Sequence, residues 1–587
     1  MLDTGKKIVQ DLFNLLESHG VTQVVCSPGS RNMPLLMAAD AREKLNKIVV
    51  IDERTAAFVA LGIAQQSNAP VALVCTSGTA LLNYSPAIAE AYYQGYPLIV
   101  ISADRPKEWI DQDDSQTLRQ FDALANFVKK SYDVDDTIHC SDSLWYANRI
   151  FNDALINATR PKQGPVHINI RLSVPLDITD TTVTPNHFAT RTILRHNSPA
   201  VYSRTELQNF AKQLIGKKVM VIAGFMKPDA KVNEQLKKFA RHDNVVVMAE
   251  TISNLHLPDE AYVIDPALST LKDWDESELD TMIPDIVITM GGALVSRMLK
   301  EFLRKAAASN KNLEHWSFGE QDYVVDCFKA LTLKIEDYPA PLIGHISAEM
   351  AHQIKINNAR PDNDPDKFAY TDNIKAFKNN WDIIRKAASH RLLSLAENAP
   401  WSEMKALHYI FSNIPAGCNI QLSNGTPVRY NQILTRRIPH TVFCNRGVSG
   451  IEGSTSTAVG FASSSSHPCL LITGDMSVAH DLGGLLTAAN LKSHIKIVII
   501  NNAGGGIFRF VKSTRSWDKR EDYLCADPKA DFAKLADAFG FGYNVADSYD
   551  SLIKQFKILI EQTGRSILEI KVPPTLSAEI LKEALRQ

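Results

Sequence analysis

Short runs of apolar and β-branched residues alternate along this chain with stretches whose apolar positions recur at helical spacing. Over residues 1–180 the runs are "TQVVCS", "KIVVID", "PVALVCT", "PLIVISAD" and "GPVHINI". The rhythm returns over residues 200–340 in "KVMVIAG", "NVVVMAE" and "DIVITMGG", and over residues 401–587 in "CNIQLSN", "TVFCN", "CLLITGD", "KIVIINN" and "SILEIKV". Strand, amphipathic helix and strand in succession predict parallel sheets wrapped by helices, so the chain reads as α/β with three doubly wound units. A Thr- and Asn-rich stretch from Asp177 to Pro199 reads as a linker. Residues 341–400 read as a polar, mostly helical connection with "ARPDNDPDKF" as an exposed loop. At the start, Ile8, Leu12, Leu15 and Leu16 share one helical face with charges between them, unlike the apolar core of a signal peptide.

Units one and three follow one order of elements. "ERTAAFVALGIA" runs into "PVALVCTSG" and on to Asp104, as "EGSTSTAVGFA" runs into "CLLITGD" and on to Asn501. Either all doubly wound domains share this much, or an old duplication has kept one architecture and changed its chemistry. In open parallel sheets ligands bind at the carboxyl ends of strands, so the residues after each strand carry the information. In unit three, Asp475 and Asn502 follow strands one crossover apart, and they bring a carboxylate and an amide oxygen to one rim. Such hard oxygens suit a magnesium-type cation that fills its octahedron with water and phosphate oxygens. The glycines of "NNAGGG" add backbone that phosphate can approach without a Cβ in the way. Unit one has no such pair; it has Glu53, before a helix, where a carboxylate is also favoured by the helix dipole.

Bulk properties narrow the options. The 587 residues are 45% hydrophobic and 22% charged, with a net charge of −2, which gives no global reason to expect nucleic acid or an anionic membrane as partner. No apolar run approaches the ~20 residues of a membrane span, so no membrane anchor is expected. Eight cysteines form no CxxC pair and no zinc spacing, and several lie in apolar runs such as "VALVC". Core thiols in a reducing cytoplasm are the expectation.

Glu53 before "AAFVALGIA", "TSGTALLN" at 76–83, "GPVHINI" at 164–170 and the spacing of Gly474-Asp475 to Asn501-Asn502 resemble the thiamine-diphosphate-dependent decarboxylase superfamily. Within it, "SPGSRNMPL" at 27–35, "SADRP" at 102–106, Gln116, "NGTPVR" at 424–429 and "CNRGVSGIEG" at 444–453 resemble the branch that joins 2-oxoglutarate to isochorismate in menaquinone biosynthesis. The likeness spans essentially the whole chain.

That resemblance implies a pyrimidine-binding domain at 1–180, a central α/β domain at 200–340, a helical linker at 341–400 and a diphosphate-binding domain at 401–587. The two cofactor domains are implied to meet across the interface of a homodimer or homotetramer. Glu53 is implied as the catalytic group that hydrogen-bonds the aminopyrimidine and promotes its proton exchange. Thr76, Ser77, Gly78, Asn83, Ile451, Met476, Ser477, Gly505, Ile507 and Phe508 are implied around the cofactor, Ile451 as the aliphatic residue beneath it. Asp475, Asn502 and Gly504 are implied as ligands of Mg2+ or Mn2+. Ser30, Arg31, Arg105 and Gln116 would hold isochorismate, Arg429 the distal carboxylate of 2-oxoglutarate, and Arg446 would lie between the two, with Phe508 as a wall. Planar guanidinium groups suit polyanionic substrates because they bind carboxylates in bidentate fashion.

The chain departs from the branch pattern at several points. Gly425 stands where a Ser would assist Arg429, so Thr426 or Ser423 is expected to take over; Arg297 replaces a substrate-binding Lys; Asp113 and Asp114 lie beside an anion site. Two alternatives stay open: another 2-oxo acid ligase or decarboxylase of the acetolactate synthase kind, and an inactive regulatory paralogue.

Overall fold

A strand that is apolar along its whole length must be covered on both faces, and three parallel sheets meet that demand with helices. The computed structural model describes residues 3–586 except 178, 181–189, 197–200, 272–273, 322, 362, 365–371, 436–439 and 492. Most of the expected linker after Asp177, and part of the expected loop at 359–368, therefore lies outside the described residues.

The first sheet holds β1 (Gln23–Cys26), β2 (Asn46–Val49), β3 (Val71–Cys75), β4 (Leu98–Asp104), β5 (Ser131–Asp135) and β6 (Val166–Arg171) in the order β2-β1-β3-β4-β6-β5. The central sheet holds β7 (Val219–Ala223), β8 (Val245–Ala249), β9 (Ile286–Met290), β10 (Glu314–Phe318) and β11 (Leu331–Ile335) in the order β8-β7-β9-β10-β11. The third holds β12 (Asn419–Leu422), β13 (Val442–Cys444), β14 (Cys469–Gly474), β15 (Lys496–Asn501), β16 (Gly542–Ala546) and β17 (Ser566–Lys571) in the order β13-β12-β14-β15-β17-β16. The first and third sheets thus have the same topology strand for strand, which is the internal likeness read from sequence. In each the strand order reverses beside the first strand, between β1 and β3 and between β12 and β14. That reversal opens a crevice at the carboxyl ends.

Seven helices place the site: α1 (Glu53–Ser67), α2 (Ser85–Gln94), α3 (Pro339–Asn358), α4 (Asp372–Asn398), α5 (Glu403–Asn413), α6 (Thr426–Leu434) and α7 (Ser454–Ser464). The segment read as a helical connection does more than connect. Helix α3 packs on the central-unit helices Arg204–Leu214 and Ala230–Phe239, and α4 lays Phe377, Trp381, Ile384 and Ala388 into the central core.

Units one and three meet through α1 and α7. Helix α1 is buried from Thr55 to Gln65 because one side covers its own sheet and the other lies on α7. The crossing is backbone to backbone: a Cβ on Gly62 would fall 1.9 Å from the Thr457 carbonyl oxygen, and one on Gly460 would fall 2.0 Å from that of Val59. Only glycine permits that approach.

Candidate active site

Strands β14 and β15 pair in parallel with Gly474 opposite Ile500, so their following residues arrive side by side. Asp475 is buried, and its Oδ2 accepts from the Gly504 N–H at 2.7 Å while Oδ1 accepts from the Met476 N–H at 2.8 Å. Burial pushes its carboxyl up to about 6, against the pull of those two amides. Asn502 is buried as well; its Nδ2 donates to Glu403 Oε2 at 3.2 Å, and its Oδ1 has no partner. The turn that follows needs glycine: Gly504 has φ +104°, and a Cβ there would fall 2.0 Å from the Cys525 carbonyl oxygen. Arg509 holds this turn from behind, donating to the carbonyl oxygens of Asn502 at 2.9 Å and Ala503 at 3.0 Å and pairing with Glu521 at 2.7 Å. The rim therefore offers one buried carboxylate, one partnerless amide oxygen and turn carbonyls. The Gly504 carbonyl accepts from Gly506 N–H at 2.8 Å and keeps its second lone pair. No group of three or more His, Cys, Asp or Glu able to hold a metal occurs among the described residues. A cation at the rim would take its remaining ligands from water and phosphate, which fits magnesium.

A second cluster lies at the ends of β12 and β13. Gly425, the residue before α6, has φ +100°, a conformation that favours glycine, so the departure from Ser at this position has a backbone cause. Arg429 donates to the Gly425 carbonyl and Arg446 to Asn424 Oδ1 at 3.0 Å, while Asn424 Nδ2 donates to the Asn445 and Gly450 carbonyls at 2.6 Å. Burial, and then the like charge of Arg446, lower the Arg429 pKa. The central unit answers with acids. Glu250 accepts from the Val295 and Ser296 N–H groups at 2.7 Å, and Asp265 accepts from the Ser296 hydroxyl. Burial pushes Glu250 up to about 7 and raises Asp265. A cleft of about 600 Å³ opens here, lined by Asp265, Arg297, Arg429 and Phe510 among others.

The third group belongs to unit one. Glu53 is the first residue of α1, half-buried, after Asp52, whose side chain accepts from the Arg54 N–H at 3.0 Å. Val49 and Ile51 beside it are 62% and 66% exposed. Thr76, Ser77 and Gly78 follow β3; the Thr76 hydroxyl is buried without a partner, and Gly78 N–H donates to Gln120 Oε1 at 2.7 Å. Arg31 is buried and donates to the Leu172 carbonyl at 3.1 Å. Arg105 pairs with Asp114 at 2.7 Å, so one of the two unexpected acids neutralises the arginine it neighbours.

Several expectations gather as read and others do not. Asp475, Met476, Ser477, Asn502, Gly504 and Gly505 share the rim, with Ile507 and Phe508 half-buried beyond it. Ile451 is half-buried on a loop whose Gly447, Val448 and Ser449 N–H groups all donate to Glu90 of α2. Thr426 does not face a substrate anion: it is buried and gives its hydroxyl hydrogen to Glu403, which leaves no side-chain donor for a carboxylate. Arg297 lines the cleft but pairs with Glu301 on its own helix. Ser30, Asn83 and Gln116 are exposed, Gln116 with its side chain over Gly78. Arg54, next to Glu53, donates to the carbonyl of His480 at 2.9 Å, at the end of the short helix that Asp475 opens; among the described residues no hydrogen bond or ion pair joins Glu53 itself to the rim. Sequence reading missed Glu90, Glu250 and Glu403, which are buried, and half-buried Asp265; all four take hydrogen bonds from segments remote in the chain.

Two family descriptions match the chain: "Thiamine pyrophosphate enzyme, N-terminal TPP binding domain" over residues 6–124, and "Thiamine pyrophosphate enzyme, C-terminal TPP binding domain" over residues 425–570. The chain is 36% identical to 2-succinyl-5-enolpyruvyl-6-hydroxy-3-cyclohexene-1-carboxylate synthase of Porphyromonas gingivalis, covering 99% of this chain and 96% of that one. It is 33% identical to the protein of that name from Bacteroides fragilis, with 100% and 99% covered. The one from Flavobacterium psychrophilum is 35% identical, with 98% and 97% covered.

Proposed function

Since the chain belongs to the 2-succinyl-5-enolpyruvyl-6-hydroxy-3-cyclohexene-1-carboxylate synthases, a family of thiamine pyrophosphate enzymes, we propose that it decarboxylates 2-oxoglutarate and adds the succinyl unit to isochorismate in menaquinone biosynthesis. The observation that carries the reading is the pair of neighbouring strand ends, with buried Asp475 beside the partnerless Oδ1 of Asn502, in a chain whose full-length relatives bear that name.

Thiamine diphosphate, when bound, supplies the nucleophilic carbon and the electron sink that a 2-oxo acid needs to lose carbon dioxide. The chain's own residues do the rest. Asp475, Asn502 and the Gly504 carbonyl would hold Mg2+ or Mn2+ with the diphosphate, beside the glycine turn at Gly504 and Gly505. Ile451 would pack against the cofactor. Glu53 accepts and returns a proton at the aminopyrimidine ring. Arg429 binds the distal carboxylate of 2-oxoglutarate; a dianion there relieves the repulsion between Arg429 and Arg446. Arg31 and Arg105 receive isochorismate, with Ser30 and Gln116 at the mouth.

Residues 1–180 act as the pyrimidine-binding domain and 401–587 as the diphosphate-binding domain. Glu53 and the rim work together across a subunit interface, in a homodimer or homotetramer. Exposed Val49 and Ile51 beside Glu53 support a second copy there. Eight free cysteines support residence in the cytoplasm. No described helix is long and apolar enough to cross a membrane.

The test is turnover of 2-oxoglutarate with isochorismate, against pyruvate, with and without thiamine diphosphate and magnesium. Mixing the Glu53→Gln and Asp475→Ala variants tests the interface: hybrids regain activity when the two residues of one site come from different subunits. No recovery on mixing would place each site within one chain.

A further inference from the structure

Glu403 is the first residue of α5, and it is almost fully buried between the metal rim and the arginine cluster. Ser577 Oγ fixes its backbone by accepting from the Glu403 N–H at 3.0 Å. Its two carboxylate oxygens are divided. Oε1 accepts from the Thr426 hydroxyl, and Oε2 accepts from Asn502 Nδ2 at 3.2 Å.

The division matters because a primary amide has two ends of nearly equal size. Packing alone hardly distinguishes its oxygen from its nitrogen, and only the oxygen can ligate a cation. Oε2 of Glu403 stands as an acceptor beside Asn502, so it selects the NH2 end. Oδ1 is thereby turned the other way, where it lies buried without a partner. The same carboxylate reaches through Thr426 to the first turn of α6, three residues before Arg429. One buried acid therefore ties the cation ligand to the helix that carries the 2-oxo acid arginine.

We infer that Glu403 is a positioning residue: it presents the Asn502 oxygen to the divalent cation of the diphosphate, and it holds the α6 helix start in register with that ligand. The inference rests on the reading of the rim as a metal-diphosphate site. Partners of this kind, one shell behind the ligands, typically change metal affinity 10–100-fold when lost.

The experiment measures Mn2+ binding to the full-length protein in the presence of thiamine diphosphate, from the electron paramagnetic resonance signal of the free ion, with melting curves as the check on folding. Glu403→Gln should weaken Mn2+ roughly 10–100-fold, since a glutamine accepts either end of the neighbouring amide. Glu403→Asp, which keeps the acceptor one methylene short, should recover part of the loss. The decisive comparison uses Asn502→Asp. An aspartate has oxygen at both ends and needs no orienting, and Glu403 would then repel it. Adding Glu403→Gln to Asn502→Asp should therefore leave Mn2+ affinity unchanged or raise it. The same loss from Glu403→Gln in both backgrounds would mean that Glu403 supports only the fold, and would overturn the inference. So would a Glu403→Gln variant that binds Mn2+ normally while Asn502→Ala does not. If Asp475→Ala and Asn502→Ala both bind Mn2+ normally, the rim reading itself fails, and the positioning role falls with it.

Discussion

A guanidinium keeps its charge in almost any surroundings, so in the proposed reaction the four arginines would discriminate between substrates by where they sit. Arg429 is half-buried beside buried Arg446, within reach of the Asp265 charge; Arg31 and Arg105 lie in unit one. Arg429→Ala should raise the KM for 2-oxoglutarate about ten- to hundredfold, from the loss of a charge-assisted bond of about 1.5–3 kcal/mol. Arg31→Ala and Arg105→Ala should weaken use of isochorismate and leave decarboxylation of 2-oxoglutarate in its absence nearly unchanged. Steady-state kinetics with each substrate varied in turn checks both; equal losses for both substrates in all three variants would mean that the arginines form one undivided pocket. These residues were legible because each stands in a short motif next to a strand end. Glu90, Glu250, Asp265 and Glu403 were not, for a physical reason. Each is an acid, buried or, for Asp265, half-buried, whose partners are amides or side chains of remote segments: Glu90 meets Gly447, Glu250 meets Val295, Asp265 meets Ser296, and Glu403 meets Asn502. No local pattern marks a contact that only folding creates. Thr426 was misread from the same cause, since its motif gave its place but not its partner.

Elements were easier to read than their contacts. Apolar runs located most strands of the three sheets and missed Ser131–Asp135, Glu314–Phe318, Leu331–Ile335 and Gly542–Ala546, which carry polar residues or no long apolar run; the matching order of elements in units one and three anticipated their shared topology. The helices α3 and α4 were located too, but their polar composition hid the apolar stripe of Phe377, Trp381 and Ile384 that buries α4 on the central unit. The crossing of α1 and α7 was not legible at all, because a glycine in a helical pattern signals nothing until its neighbour is known. It leaves no room for a single added methyl group. Gly62→Ala and Gly460→Ala each place a carbon about 2 Å from a backbone oxygen, which no side-chain rotation relieves. Each should destabilise the protein by about 1–3 kcal/mol or more, typical of overpacking. Differential scanning calorimetry checks this; a melting temperature within a degree of the parent would show that the helices can part without cost.

For the whole molecule, two buried histidines weaken the fold in acid, while raised carboxyls such as Asp475 and Glu250 act in the opposite sense. His167 is fully buried against the Ser102 hydroxyl at 2.8 Å, and His315 is buried against that of Thr289 at the same distance. Burial lowers both imidazoles to about 4. Between that value and the ordinary 6.5 these two side chains bind protons in the unfolded chain that they refuse in the folded one, so the stability they contribute is whole above pH ~6.5 and is lost as pH falls toward ~4. Each histidine should cost on the order of 1–3 kcal/mol across that window. The change in melting temperature from pH 7.5 to 5 should therefore be less unfavourable in His167→Gln than in the parent, and an identical change would remove His167 from the acid response. The α1–α7 crossing also sets a timetable for synthesis. Helix α1 ends at Ser67 and its partner begins at Ser454, and ribosomes add about 5–20 residues per second, so the outer face of α1 waits roughly 20–80 s for the surface that covers it. During that interval unit one stands on the ribosome with an apolar, glycine-notched groove open to other nascent chains. The yield of folded protein then depends on how quickly the last third of the chain is made and on what shelters the first third meanwhile.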